Sequence, residues 1–201
     1  LNAIQQGHNV CAYSGELSKE RFQQWINLQA AGSEWIGLKY DPVKDVNVPY
    51  VPDEVQQRIC KWYSNRLFLF DNNEIFEENQ AESIIDVFTM AVRRYDVKLF
   101  LVDNMMTALS DEDEEIKAQA KFINALKKFA NRYHVHVLVV AHPRKTKLDE
   151  KLRKDDVGGS HYIVSLADSA FVMERPDIRI IKNRDGGINK LIECCYCGDS
   201  R

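Results

Sequence analysis

The chain has 201 residues, a length that suits one domain with a sizeable hydrophobic core. Its hydrophobic fraction of 45% and charged fraction of 28% are ordinary for a globular protein. A net charge of -3 gives no overall indication of nucleic-acid binding, so any such indication must be local. It has no apolar run of the roughly 18 residues that a membrane span needs and no signal peptide, so we expect a cytoplasmic protein without membrane partners.

The chain opens with a short helical segment that Gly7 closes, and apolar runs then alternate with helical patterns. The patterns predict helices that begin with caps at Ser18 and Asp53, a helix over 78–95 and one that ends near Tyr133. Between 32 and 52 three prolines predict a loop with at most short helical pieces. Strands are predicted at 10–14, 67–71, 97–103, 135–141, 169–174, 178–181 and 191–196.

This order of elements defines a fold class. Alternating strands and helices indicate an α/β protein with a mostly parallel sheet and helices on both faces. The final run of strands indicates antiparallel strands at one edge of that sheet. We expect residues 1–201 to form a single domain that lacks a preceding strand and a short following segment.

The run 97–103 is apolar, rich in β-branched residues and ends on Asp103, followed by Asn104. Such a run is typical of a strand that is buried on both faces, and ligands of open α/β sheets bind beyond the carboxyl ends of the strands. Asp103 is therefore a candidate for holding Mg²⁺ through its waters beside a bound nucleotide.

Two more predicted strands are followed by polar residues. Glu16 comes after the first strand and is a candidate general base for an attacking water. His142 ends the strand at 135–141 and is a candidate sensor of the γ-phosphate, although histidines at strand ends are more often structural.

Lys182 and Arg184 are two residues apart, so on a strand they face the same side, and a glycine-rich turn follows them. If that turn reaches a neighbouring subunit, Arg184 becomes an arginine finger with Lys182 as its companion. The alternative is a basic hairpin edge that discourages strand pairing.

Four ordered segments, 14–17, 101–104, 139–145 and 181–184, resemble the RecA-like motor domain of hexameric replicative helicases of the DnaB type, a group that includes Twinkle and phage primase-helicases. The resemblance implies a RecA-like three-layer sandwich that binds ATP and Mg²⁺. It also implies that Glu16 is the catalytic glutamate, that Asp103 is the Walker B aspartate next to Asn104, and that His142 is the γ-phosphate sensor. Lys182 and Arg184 would reach the ATP on the next subunit of a hexameric ring.

The resemblance further implies a DNA-binding loop between Pro143 and His161. Six basic residues against two acidic ones in 143–154 fit this expectation, because phosphate contacts come mainly from lysine and arginine. The candidates for contact with single-stranded DNA are Arg144, Lys145, Lys147, Gly158, Gly159 and Ser160.

One element of the family is missing from these residues. The phosphate-binding sequence G-x-x-x-x-G-K-[ST] does not occur and is expected upstream of Leu1, so residues 1–201 alone should be inactive. The resemblance implies DNA replication as the process, a primase domain on the same chain or in trans, and the replication fork as the location, or the mitochondrial matrix in a eukaryote. The alternatives are a RecA-like oligomerisation or helicase-loading module that does not hydrolyse ATP, and a recombinase or clock-type ATPase.

Overall fold

The computed structural model describes residues 1–70, 80–104, 115–142, 161–174, 177–184, 186 and 191–194. Its strands are β1 (Asn9–Ser14), β2 (Gly37–Asp41), β3 (Val46–Tyr50), β4 (Leu67–Leu69), β5 (Val97–Asp103), β6 (His136–Val139), β7 (Ser169–Glu174), β8 (Asp177–Asn183) and β9 (Leu191–Ile192). Its α-helices are α1 (Asn2–Gln5), α2 (Lys19–Ala31), α3 (Asp53–Tyr63), α4 (Gln80–Tyr95), α5 (Glu115–Tyr133) and α6 (His161–Leu166).

The central sheet has four strands in the order β4-β1-β5-β6, and every neighbouring pair is parallel. Strands β1 and β5 form its middle, in a register that places Ser14 opposite Asp103. Parallel strands deliver their carboxyl ends to the same edge of a sheet, so the last residues of β1, β5 and β6 lie near one another. The predicted parallel sheet is confirmed.

Helices cover both faces of this sheet because successive side chains of a strand point to opposite faces. On one face Phe100 of β5 packs with Phe88 of α4 and Phe129 of α5. On the other face Val10 of β1 packs against a smaller cluster that includes Ile59 of α3 and residues of α1 and α2. The helices on both faces that the alternation of elements predicted are therefore present, and they give the three-layer sandwich that the resemblance implied.

Strands β7, β8 and β9 are antiparallel, as predicted. Within the described part of the chain they form a sheet of their own and do not extend the outer edge of β6. A two-residue connection joins β7 to β8, and such a short connection favours pairing within the hairpin. Leu138 of β6 is 51% exposed, and Val140, directly after β6, is 37% exposed.

The region 32–52 is not the loop that its prolines predicted. It contains a short 3₁₀ helix and the antiparallel pair β2 and β3, in which Pro49 lies opposite Leu38. Proline is tolerated here because each strand of a two-stranded ribbon has a free edge, where no backbone donor is needed. The connecting turn is stabilised by Asp41, whose side chain accepts hydrogen bonds from the backbone N–H groups of Val43 and Lys44.

The predicted helix ends agree with the structure at two of three positions. Gly7 has a φ of +90° after α1, and the backbone N–H of His8 donates to the carbonyl of Ala3, which closes the helix. Ser18 caps α2 by accepting a hydrogen bond from the backbone N–H of Arg21. Asp53 does not cap α3, because it is the first helical residue and Pro52 occupies the cap position.

A buried polar network joins α2 to α3. The Tyr63 hydroxyl donates to Asn27 Oδ1 at 3.1 Å and accepts from Gln23 Nε2 at 2.8 Å. The Cys60 thiol lies 3.1 Å from the same hydroxyl. Burial, aided by the contact with Cys60, raises the pKa of Tyr63 to about 12, so the hydroxyl stays protonated across the physiological range.

We expect Tyr63→Phe to lower the free energy of unfolding by about 1–3 kcal/mol, because it removes a hydrogen-bond partner from the buried side chain of Asn27. Urea unfolding measures this change. The matched control is Tyr40→Phe, whose hydroxyl donates to Asp45 at an exposed position and whose loss should cost less than about 0.5 kcal/mol. Equal effects of the two substitutions would show that the network does not stabilise the fold.

Candidate active site

The polar residues predicted to form a site do meet at one edge of the central sheet. Ser14 and Asp103 are the last residues of β1 and β5, and they are paired in the sheet register. His142 follows β6 by three residues, after Val140, whose backbone N–H donates to the carbonyl of Val102. The site therefore lies beyond the carboxyl ends of three adjacent parallel strands, where α/β proteins bind ligands.

Glu16 is the centre of this site. Its Oε1 atom accepts a hydrogen bond from Asn104 Nδ2 and lies 3.0 Å from His142 Nε2. Asn104 is buried, whereas the side chains of Glu16 and His142 are 48% and 58% exposed. One oxygen of the carboxylate is thus oriented from two sides, and neither contact uses the second oxygen, Oε2.

Asp103 is fixed through Ser14. The Ser14 hydroxyl donates to Asp103 Oδ2 at 3.3 Å and accepts from the backbone N–H of Leu17 at 3.2 Å. The backbone N–H of Gly15 also donates to the carbonyl of Asp103 at 2.7 Å. These contacts connect the strand end that bears Asp103 to the turn that bears Glu16, so the two carboxylates keep a defined relative position.

The arrangement contains some of the functional groups that transfer of a phosphoryl group to water uses. An accessible, oriented carboxylate can accept a proton from water, and a second carboxylate at a strand end can hold Mg²⁺ through its hydration shell. An imidazole beside the first carboxylate can respond to a phosphate oxygen. Glu16, Asp103 and His142 carry side chains of these three kinds at this edge of the sheet.

Lys182 and Arg184 are held by a different part of the molecule. Lys182 Nζ donates to the carbonyls of Val164 and Ser165 at 2.8 and 2.6 Å, at the end of α6. Arg184 Nη1 lies 2.9 Å from Asp168 Oδ1, just before β7. Both side chains therefore contact the segment 164–168 of their own chain.

The other predicted site residues lie outside the described residues. They are the proposed DNA contacts Arg144, Lys145, Lys147, Gly158, Gly159 and Ser160. Among the described residues, no group of three or more histidine, cysteine and acidic side chains could hold a metal ion. Burial raises the pKa of Cys11 to about 12, so this thiol does not ionise near neutral pH.

The sequence reasoning missed three residues that support the site. Ser14 belonged to a recognised motif, but its bond to Asp103 depends on a strand register that no local pattern reveals. Asp168 and Lys127 are 41 residues apart in the chain, and their 2.5 Å contact depends on how α5 packs. An acidic residue at the start of a predicted strand beside a basic hairpin was the only available signal for Asp168.

Solved structures of other proteins superpose on this chain and show which fold it has. The structure of a DnaB-like replicative helicase, described with its interactions with primase, superposes with a TM-score of 0.76 at 14% identity, over 99% of this chain and 51% of that chain. A second solved structure, described as an ATPase domain, superposes with a TM-score of 0.74 at 14% identity, over 99% of this chain and 75% of that chain. The chain thus has the RecA-like fold of DnaB-type helicase ATPase domains, and it spans about half the length of the helicase chain.

A sequence match then defines the family. Residues 5–147 match the family described as AAA domain. Since the match covers more than half of the chain, the chain belongs to that family. The family match and the superpositions together confirm the RecA-like fold that the resemblance of the four ordered segments implied.

No helix among the described residues is long and apolar enough to cross a membrane.

Proposed function

We propose that this chain is the motor domain of a replicative DNA helicase, which couples ATP hydrolysis to movement along single-stranded DNA and to unwinding of the duplex. The observation that carries the proposal is the meeting of Glu16, Asp103 and His142 at the carboxyl edge of the parallel sheet, with Glu16 Oε1 held by Asn104 and 3.0 Å from His142 Nε2. The likeness to DnaB-type ATPase domains supports this reading of the site.

In the proposed reaction a water molecule attacks the γ-phosphorus of ATP and Glu16 takes its proton. Hydrogen bonds to Oε1 fix the carboxylate, and its side chain is 48% exposed, so a water molecule can reach it. The bond between the γ-phosphorus and the β,γ-bridging oxygen breaks, and ADP leaves. His142 contacts both the base and, in this proposal, the γ-phosphate, so loss of that phosphate changes the contacts of the segment that follows His142.

Asp103 is the proposed residue for Mg²⁺, through water, and Asn104 lies beside it. Ser14 donates a hydrogen bond to one oxygen of the half-buried Asp103 carboxylate, which holds that carboxylate in place at the end of β5. Bound Mg²⁺ supplies charge neutralisation on the β- and γ-phosphates. The phosphates themselves need a P-loop, and we propose that this element precedes residue 1 in the intact protein.

The remaining charge on the γ-phosphate is the proposed target of Lys182 and Arg184 from the adjacent subunit. Arg184 has a 53% exposed side chain and is therefore available to a neighbouring molecule. An arginine supplied in trans stabilises the charge that develops in phosphoryl transfer. This assignment requires a ring of subunits, which we propose to be a hexamer.

The basic segment after His142 is the proposed contact for single-stranded DNA, through Arg144, Lys145 and Lys147 and the backbone of Gly158, Gly159 and Ser160. Its position directly after the proposed γ-phosphate sensor supports a coupling of hydrolysis to DNA movement. We further propose a primase domain, on the same chain or in trans, as a partner. The proposed location is the replication fork in the cytoplasm, or the mitochondrial matrix in a eukaryote.

ATP hydrolysis by the intact protein, measured with and without single-stranded DNA, tests the proposal. We expect turnover that DNA stimulates, and we expect residues 1–201 alone to be inactive because they contain no P-loop. Stimulation should weaken as salt rises, since phosphate contacts are screened and displaced by counterions.

The opposite result has a defined meaning. If the intact protein binds ATP but does not hydrolyse it with DNA present, the carboxylates are not catalytic. The chain would then be an oligomerisation or helicase-loading module, and assembly with a helicase ring would be the property to measure.

A further inference from the structure

Asp168, which directly precedes β7, contacts α5 and the residue that follows β8. Its Oδ1 atom lies 2.9 Å from Arg184 Nη1 and 2.5 Å from Lys127 Nζ, so α5 and the end of β8 both contact this one carboxylate. We call Lys127, Asp168 and Arg184 the Asp168 cluster. The central sheet and its carboxylates contribute no side chain to these two contacts.

Asp168 holds Arg184 through both a side-chain contact and a backbone hydrogen bond. Besides the side-chain contact, the backbone N–H of Arg184 donates to the backbone carbonyl of Asp168 at 2.9 Å. A guanidinium has five N–H donors in a rigid plane, so one bond to Asp168 fixes its direction and leaves other donors available for an anion. Asp168 therefore orients Arg184 without covering it, which agrees with the 53% exposure of its side chain.

The net positive charge of the cluster favours binding of an anion such as a phosphate. Lys127 and Arg184 contribute two positive charges against the single negative charge of Asp168, and Lys182 adds another beside them. The hydrogen bond from Lys127 lowers the pKa of Asp168, which keeps the carboxylate ionised. The surface around Arg184 thus remains positive although its guanidinium is paired.

We propose that Asp168 is a positioning residue that aims Arg184 at the ATP of the adjacent subunit, with Lys127 holding the carboxylate in place from α5. This role rests on the proposed function, because Arg184 must act in trans for its direction to matter. In this role Asp168 affects ATP hydrolysis at the active site of the adjacent subunit and does not affect hydrolysis at the active site of its own subunit.

Asp168→Asn in the intact protein tests this role, since it keeps the shape of the side chain and removes its charge. We expect kcat for ATP to fall about 10- to 100-fold with little change in KM, because a misdirected catalytic group slows the chemical step. Asp168→Glu should recover part of the activity. The matched control is Asp96→Asn, which removes a carboxylate paired with Lys98 at 2.7 Å on another surface and should leave kcat unchanged.

Mixed rings separate an effect on the neighbour from an effect on the same subunit. Glu16→Gln subunits have no functional base but carry an intact Arg184, so mixing them with Asp168→Asn subunits should raise DNA-independent hydrolysis above the average of the two separate proteins. If the mixture gives only the average, or if KM rises instead of kcat falling, Asp168 does not act through Arg184 on the neighbour and the proposal is wrong.

A second mixture distinguishes failure of this role from failure of the proposed function. Arg184→Ala subunits mixed with Glu16→Gln subunits should also recover activity, because each supplies what the other lacks. If this pair recovers and the Asp168→Asn pair does not, only the role of Asp168 is refuted. If neither pair recovers, the shared active site is wrong and the role of Asp168 is refuted with it.

Discussion

Replacing Glu16 with glutamine is expected to reduce ATP turnover by the intact protein by about 10²- to 10⁴-fold, the range typical of a lost general base. Glutamine keeps an oxygen that can accept the hydrogen bond from Asn104 and can remain next to His142. It cannot accept the proton of the attacking water. The loss should therefore appear in kcat, while the affinity for ATP stays close to that of the unchanged protein.

Single-turnover hydrolysis, with ATP binding measured by calorimetry, separates these two quantities. The matched control is Glu20→Gln, the same substitution four residues later, at an exposed position in the first turn of α2. It should leave turnover unchanged. Normal turnover in Glu16→Gln would assign the proton transfer to another group, and weakened binding alone would make Glu16 a nucleotide contact.

The parts of the fold that the sequence predicted correctly are those that its hydrophobic pattern determines. β5 is confirmed over Val97–Asp103 because its apolar residues, Val97 and 99–102, form the nearly continuous run that is typical of a buried parallel strand. α4 and α5 are confirmed because their apolar residues recur at the helical period and pack on one face of the sheet. These signals are local, so they can be read without knowledge of the tertiary structure.

The errors arose where tertiary context outweighs local composition. Prolines predicted a loop over 32–52, yet Pro49 is compatible with β3 because a two-stranded ribbon has free edges. The antiparallel pairing of β7 with β8 was predicted correctly, but within the described residues these strands form a sheet of their own instead of continuing the parallel sheet. Which edges pair is decided by packing between distant segments, and α6, which links the two regions, was not predicted.

The candidate site also has parts that the sequence predicted and parts that it did not. The positions of Glu16, Asp103 and His142 near one another followed from strand ends and topology, and their roles remain predictions. The contacts that orient them did not follow, since the bond of Ser14 to Asp103 joins residues 89 apart in the chain. The Asp168 cluster depends equally on long-range packing. Sequence therefore indicates which residues do chemistry more readily than which residues hold them in place.

Arg184→Ala is expected to reduce ATP hydrolysis in the assembled ring by about 10³- to 10⁵-fold, the usual contribution of an arginine finger. The same change should leave each subunit folded. The side chain is 53% exposed and its pairing with Asp168 is a surface ion pair, worth about 0–1 kcal/mol of stability. A large loss of activity with a small loss of stability is what distinguishes a catalytic group from a structural one.

Turnover, circular dichroism and sedimentation of the same preparation measure activity, folding and ring assembly together. Arg58→Ala is the matched control, because Arg58 is also exposed and lies 4.0 Å from a carboxylate, that of Glu54. It should change none of the three properties. Normal turnover in assembled Arg184→Ala rings would refute the finger, and loss of assembly would make Arg184 an interface residue. Only rings that are intact, folded and inactive support a site completed by the neighbouring subunit.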